Sequence, residues 1–66
     1  MTGRIKNVIL DKGFGFIIGE DNGEYFFHMS SLVNRTDWDE CSTNRQVTFE
    51  PSYSPKGKRA ENVMVL

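Results

Sequence analysis

The sequence predicts an all-β fold of five short antiparallel strands closed into a small barrel. Three observations carry this. Runs of β-branched and aromatic residues occupy 4–10, 14–18, 24–29, 46–50 and 60–66. Turn-forming residues separate several of them, at Asp11-Lys12-Gly13, at Asp21-Asn22-Gly23 and throughout 51-PSYSPKGK-58. No stretch repeats apolar residues at helical spacing over three turns. Closure is expected because an open sheet would leave two unpaired edges free to aggregate. We read residues 1–66 as a single domain, without repeats, linkers or low-complexity tracts.

Each element has its own justification. The first strand is RIKNVIL and the second FGFII, with Asp11-Lys12-Gly13 turning between them. Asn22-Gly23 is a strong hairpin signal and joins the second strand to the third, EYFFHM. QVTFE alternates with period two, which places Val47 and Phe49 on one face. AENVMVL makes the fifth strand. Residues 30–45 carry no strand pattern, and Ser30–Val33 is expected to form a short helical turn capped by Ser30. Tyr25, Phe27, Val47, Phe49 and Val63 are the expected core.

Composition bounds the function. A chain of 66 residues buries only roughly 60% of its unfolded surface and is stable by about 3–10 kcal/mol. Its 38% hydrophobic and 26% charged residues suit a soluble globule rather than a disordered segment. No apolar run reaches the ~18 residues of a membrane span, and MTGRIK has no apolar core of a signal peptide. The lone Cys41 excludes an internal disulfide and is expected to be inert; a reducing cytoplasm is the expected setting. Asn34-Arg35-Thr36 matches a glycosylation tripeptide without a secretory context. One histidine and scattered carboxylates make no nucleophile–base pair and no metal-ligand set, so no catalytic residue, metal or cofactor is expected. The net charge of −1 argues mildly against a strong electrostatic nucleic-acid binder. Its distribution is uneven. Lys6 and Lys12 form one basic group, Lys56, Lys58 and Arg59 another. Acidic residues gather at Glu20, Asp21 and Glu24 and at Asp37, Asp39 and Glu40.

The stretch 12-KGFGFI-17 poses the functional question. In a strand, Phe14 and Phe16 share one face while Gly13, Gly15 and Ile17 share the other. In the third strand, Tyr25, Phe27 and Met29 oppose Phe26 and His28. A small barrel has one interior, and a buried histidine needs partners, so the His28 face is the better candidate for the outside. Pairing across the hairpin then turns Phe14 and Phe16 outward too. The residues alone leave both facings open. Exposing three phenylalanines forgoes roughly 1.5–3 kcal/mol each, whereas stacking on bases returns roughly 1–3 kcal/mol per base.

Over nearly its full length the sequence resembles a bacterial cold-shock domain. KGFGFI (Lys12–Ile17) matches that family's first RNA-binding motif at every position, and EYFFHMS (Glu24–Ser30) resembles the second. Gly3, Ile5, Lys6 and Asp11 fit upstream, and Gly57, Ala60, Asn62 and Val63 downstream. The resemblance implies a barrel of the OB type that binds single-stranded RNA or DNA by stacking, with little sequence reading. By position, Phe14, Phe16 and Phe26 would be stacking platforms and His28 a further stacking or hydrogen-bonding surface. Lys6 and Lys12 would meet phosphates or base edges, and Lys56 stands where the family often has a basic residue.

The departures count as well. The family's first strand usually carries Trp then Phe where this chain has Asn7 and Val8, and Ile9 and Leu10 replace small polar residues. Asn7 can hydrogen-bond a base edge or stand as a plain exposed residue. Met29 replaces a phenylalanine and is a poorer stacking surface. Trp38 lies near the family's loop aromatic and either covers a base or packs under its own loop. The expected role is a monomeric RNA chaperone or a regulator of transcription or translation, binding more weakly than is usual for the family. The alternative is a divergent barrel used for protein contact or weak self-association.

Overall fold

In the computed structural model, which describes residues 1–66, β1 (Thr2–Ile9) pairs antiparallel with β2 (Phe14–Gly19), and β2 with β3 (Glu24–His28). β4 (Gln46–Ser54) and β5 (Gly57–Val65) form a hairpin, and β1 pairs with β4 to close the ring β1-β2-β3-β5-β4. The fold is therefore the all-β closed barrel of five strands that the sequence predicts, with one difference. β3 and β5 run parallel, meeting at Phe26 and Arg59. The cause is parity: a ring of five strands cannot alternate direction at every seam, so one seam must be parallel.

The last hairpin is longer than the residue pattern implies. β4 continues through Pro51, Ser52 and Tyr53, and β5 starts at Gly57, so 51–58 is mostly strand. Only Pro55 and Lys56 turn between the partners Ser54 and Gly57. Long cross-strand pairing overrides a composition that reads locally as turn.

Residues 29–45 hold two 3-10 turns, Met29–Ser31 and Arg35–Glu40. The first is capped by His28 and not by Ser30: the Ser30 N–H donates to His28 Nδ1 at 3.1 Å. Asn34 caps the second, its Oδ1 accepting from the Thr36 N–H at 3.2 Å. No helix is long and apolar enough to cross a membrane.

Tyr25, Phe27, Val47, Phe49 and Val63 lie in the core together with Ile5, Ile17, Leu32, Trp38, Cys41 and Ala60. In β2, Gly15, Ile17 and Gly19 point inward while Phe14, Phe16 and Ile18 lie half-buried on the outside. Gly15 is required there by close approach. A Cβ would stand 2.7 Å from the Asn7 carbonyl oxygen and 3.0 Å from Phe27 Cε1. A bulge in β1 adjusts the opposite strand. Ile5 pairs with Ile17 and Asn7 with Phe16, which leaves Lys6 as the extra residue. The bulge lets Lys6 and Asn7 both face solvent while Val8 packs against the core.

Candidate nucleic-acid interface

The outer face of the barrel is organised in cross-strand rows. One row runs Asn7, Phe16, Phe26, Arg59 across β1, β2, β3 and β5. The next runs Ile9, Phe14, His28. The registers fix these neighbours, so the three phenylalanines meet outside the core. Their ring centroids lie 6.2 Å apart for Phe14–Phe16, 5.6 Å for Phe14–Phe26 and 5.8 Å for Phe16–Phe26. Each partly covers the others, which explains why all three are half-buried. The cluster recovers part of the cost of exposure through edge-on and tilted ring contacts.

His28 borders the cluster with its ring held by Ser30. Its Nδ1 accepts from the Ser30 N–H, and Ser30 Oγ lies 2.9 Å away on the same nitrogen. With Nδ1 accepting from the Ser30 N–H, Nε2 is the ring nitrogen left to donate. The turn before the cluster is built on Gly13, whose φ of 77° is left-handed and whose carbonyl accepts from the Met29 N–H at 2.8 Å. That bond ties the two motif strands together beside Phe14.

Lys12 is exposed on this turn and has no carboxylate within ion-pair distance. Lys6 is different: its Nζ donates to Glu24 Oε1 at 2.7 Å, across β2. Its charge is already partnered by a carboxylate. Asn7 is exposed beside Phe16, where it adds a polar edge but no ring. Met29 is half-buried and packs against the core and Gly13, so it borders the platform more than it extends it. Lys56 is exposed at the β4–β5 turn.

Trp38 is not part of this surface. It is 7% exposed and packs edge-on against Phe27 at 5.8 Å, inside the barrel. Of the two positions open to it, the structure gives the one under its own loop, and its place as a cover for a base is corrected accordingly. The reason is local: the 3-10 turn Arg35–Glu40 points its one buried side chain inward. Cys41 is also buried, and burial pushes its thiol up from the ordinary range.

Two residues beside the platform stand out in sequence only as members of a basic group and are not among the expected contacts. The Arg59 guanidinium carbon lies 5.5 Å from the Phe26 ring centroid, a cation–π distance. Lys58 stands nearby and its Nζ lies over the Tyr25 ring, 5.4 Å from the centroid. A hollow of about 310 Å³ separates Phe16 and Phe26 from Ser54, Lys56 and Arg59. No local pattern signals this: Arg59 reaches Phe26 because the ring order β1-β2-β3-β5-β4 sets β5 against β3. A second hollow of about 210 Å³, between Thr2, Arg4, Glu20 and Gln46, contains no aromatic side chain.

At the barrel end below Phe26, the Tyr25 hydroxyl donates to Asp21 Oδ2 at 2.6 Å. This bond, with a second from the Gly23 N–H, holds the Asp21 carboxyl below its ordinary range. The same contact raises the Tyr25 phenol above its own. The pair fastens the β2–β3 turn under the platform.

Comparison with known proteins agrees with this geometry. The family model described as "'Cold-shock' DNA-binding domain" matches residues 1–66. Cold shock protein 1 of Lactiplantibacillus plantarum is 38% identical over 64 residues, 96% of this chain and 94% of that protein. The major cold shock protein of Micrococcus luteus is 38% identical over 65 residues, covering 98% and 97%. The cold shock-like protein CspI of Escherichia coli K12 is 35% identical over 66 residues, covering 100% and 94%. With a full-length family match and full-length relatives above 30% identity, this chain belongs to the cold-shock DNA-binding domain family.

Proposed function

We propose that the outer face of β2 and β3 binds single-stranded RNA or DNA by stacking unpaired bases on Phe14, Phe16 and Phe26. His28 lends a donor at one border and Lys12 a free charge at the turn. The observation that carries this reading is the mutual approach of three phenylalanines outside the core, within 6.2 Å of one another. A barrel of this size gains more stability by burying such rings than by displaying them, unless a ligand covers them. Membership in the cold-shock DNA-binding domain family supports the same ligand class.

The mechanism is mass action. Stacking favours unpaired over paired bases, so bound protein shifts weak RNA structure toward the open strand, without a nucleotide fuel or a chemical step. Such a binder serves as an RNA chaperone or as a regulator of transcription or translation. The platform lacks a ring from β1, where Asn7 stands, and from Met29. Affinity is therefore set by three rings and a few cations.

The test is the anisotropy of a labelled short oligo-dT or oligo-U, titrated with protein at several salt concentrations. Saturable binding with a shallow salt dependence is the expected result. Absence of binding to both oligomers at high micromolar protein contradicts the reading. Leu10 and Val33, 56% and 58% exposed, favour a rival reading in which the barrel contacts protein or itself. Concentration-dependent sedimentation without oligomer binding would support that rival.

A further inference from the structure

We propose that the phosphate backbone of the bound strand leaves the phenylalanine platform over β5, held by Lys56, Lys58 and Arg59, and not over β1. The inference rests on the stacking reading above and adds a path to it.

The charges favour this direction. On the β1 side the nearest cation to the platform is Lys6, and Glu24 already holds it at 2.7 Å. A phosphate there must displace a carboxylate and meet that carboxylate's repulsion. Arg4 lies farther along β1, opposite Ile18, beyond the Lys6–Glu24 pair. On the β5 side, Lys56 has no carboxylate within ion-pair distance, Lys58 has none either although its charge acts on nearby Asp21, and Arg59 has only Glu61 at 3.9 Å. Lys12 is free at the Phe14 end and is available to either path.

The shape agrees with the charges. The row Asn7, Phe16, Phe26, Arg59 ends in a neutral amide on one side and in a guanidinium on the other. The hollow of about 310 Å³ has aromatic rings for one wall and the basic hairpin for the other. A nucleotide whose base lies against Phe16 and Phe26 therefore meets cations on the β5 side of its ring. Arg59, seated over Phe26 at 5.5 Å, is positioned to form charge-assisted hydrogen bonds to a phosphate at the platform edge. The net charge of −1 is no obstacle, because this charge is local.

The consequence is measurable as counterion release. Each phosphate neutralised on a single strand contributes about 0.7 to the slope of log K against log salt. The experiment titrates the full chain and the single variants Lys56→Gln, Lys58→Gln, Arg59→Gln and Lys6→Gln with labelled oligo-dT and oligo-U across salt. Thermal melts confirm that each variant is folded. Lys58→Gln and Arg59→Gln are expected to flatten the slope by about 0.7 each, and Lys6→Gln to leave it unchanged. Unchanged slopes in the hairpin variants, with flattening in Lys6→Gln, overturn the path over β5 while the stacking reading stands. So does an Arg59→Gln that weakens only guanine-containing oligomers at constant slope, since that marks a base-edge contact. Failure of the unaltered chain to bind either oligomer overturns both.

Discussion

The Trp38 indole meets the Phe27 ring edge-on, with centroids 5.8 Å apart, in the barrel interior. A tryptophan so placed belongs to the core and not to the outer-face phenylalanine cluster. Trp38→Ala is expected to destabilise the domain by about 3–5 kcal/mol, as truncation of a large buried aromatic does. Trp38 emission in the unaltered chain should change little as an oligonucleotide saturates the protein, while anisotropy of the labelled oligonucleotide rises. Strong quenching of Trp38, or an unchanged melting temperature in Trp38→Ala, would place the indole on the surface instead.

Tyr25 and Asp21 give the stability a pH profile. Asp21 is held below its ordinary range, first by the Tyr25 hydroxyl and then by the Gly23 N–H. It therefore stabilises the fold above about pH 4, and that contribution is lost as pH falls further. Tyr25 is held above its ordinary range, chiefly by the same bond to Asp21. Its contribution is complete below about pH 10 and is lost as pH rises beyond that. Denaturant midpoints measured across pH should show both limbs, and Tyr25→Phe should flatten both. Identical profiles for the two proteins would contradict the linkage.

Gly15 separates the aromatic face from the core by a single backbone thickness. A Cβ there meets the Asn7 carbonyl oxygen at 2.7 Å and Val8 Cα at 3.2 Å, both backbone atoms that move only with β1. Gly15→Ala is expected to cost about 1–3 kcal/mol, read as a lower denaturant midpoint. A neutral effect would mean that β1 yields without penalty.

If a strand binds as proposed, Glu24, paired with Lys6 at 2.7 Å, competes with phosphate for it. Removing its charge in Glu24→Gln should free the ammonium, with oligonucleotide affinity rising a few-fold at low salt. The pair is exposed, so the stability change should stay within about 1 kcal/mol. Weaker binding by this variant would show that Glu24 itself contacts the ligand.

Much of the barrel is legible in the sequence because local rules and tertiary structure agree. Val47 and Phe49 alternate into the core, and Asp21-Asn22-Gly23 turns where turn chemistry requires, with Asn22 at φ 65°. The outward facing of Phe14 and Phe16 is only half legible, since alternation groups the rings without saying which side is inside. His28 supplied the hint through the expense of burying it. What stayed hidden was non-local. Trp38 reads as a loop residue because its partner Phe27 is eleven positions away in another element. Lys6 reads as a free cation because Glu24 becomes its neighbour only once β2 lies between them. Arg59 reads as one of a basic group at a turn, and only closure of the ring carries it to Phe26.

The most direct test of the account is Phe16→Ala, measured for oligonucleotide affinity by anisotropy and for stability by denaturant unfolding on the same protein. Phe16 lies outside the core and touches Phe14 and Phe26. Loss of one stacking surface, about 1–3 kcal/mol, predicts binding roughly 5- to 150-fold weaker, with a stability loss well below the about 3–5 kcal/mol of Phe27→Ala. Unaltered affinity, or a loss of stability equal to that of Phe27→Ala, would contradict the claim that this face exists to hold bases.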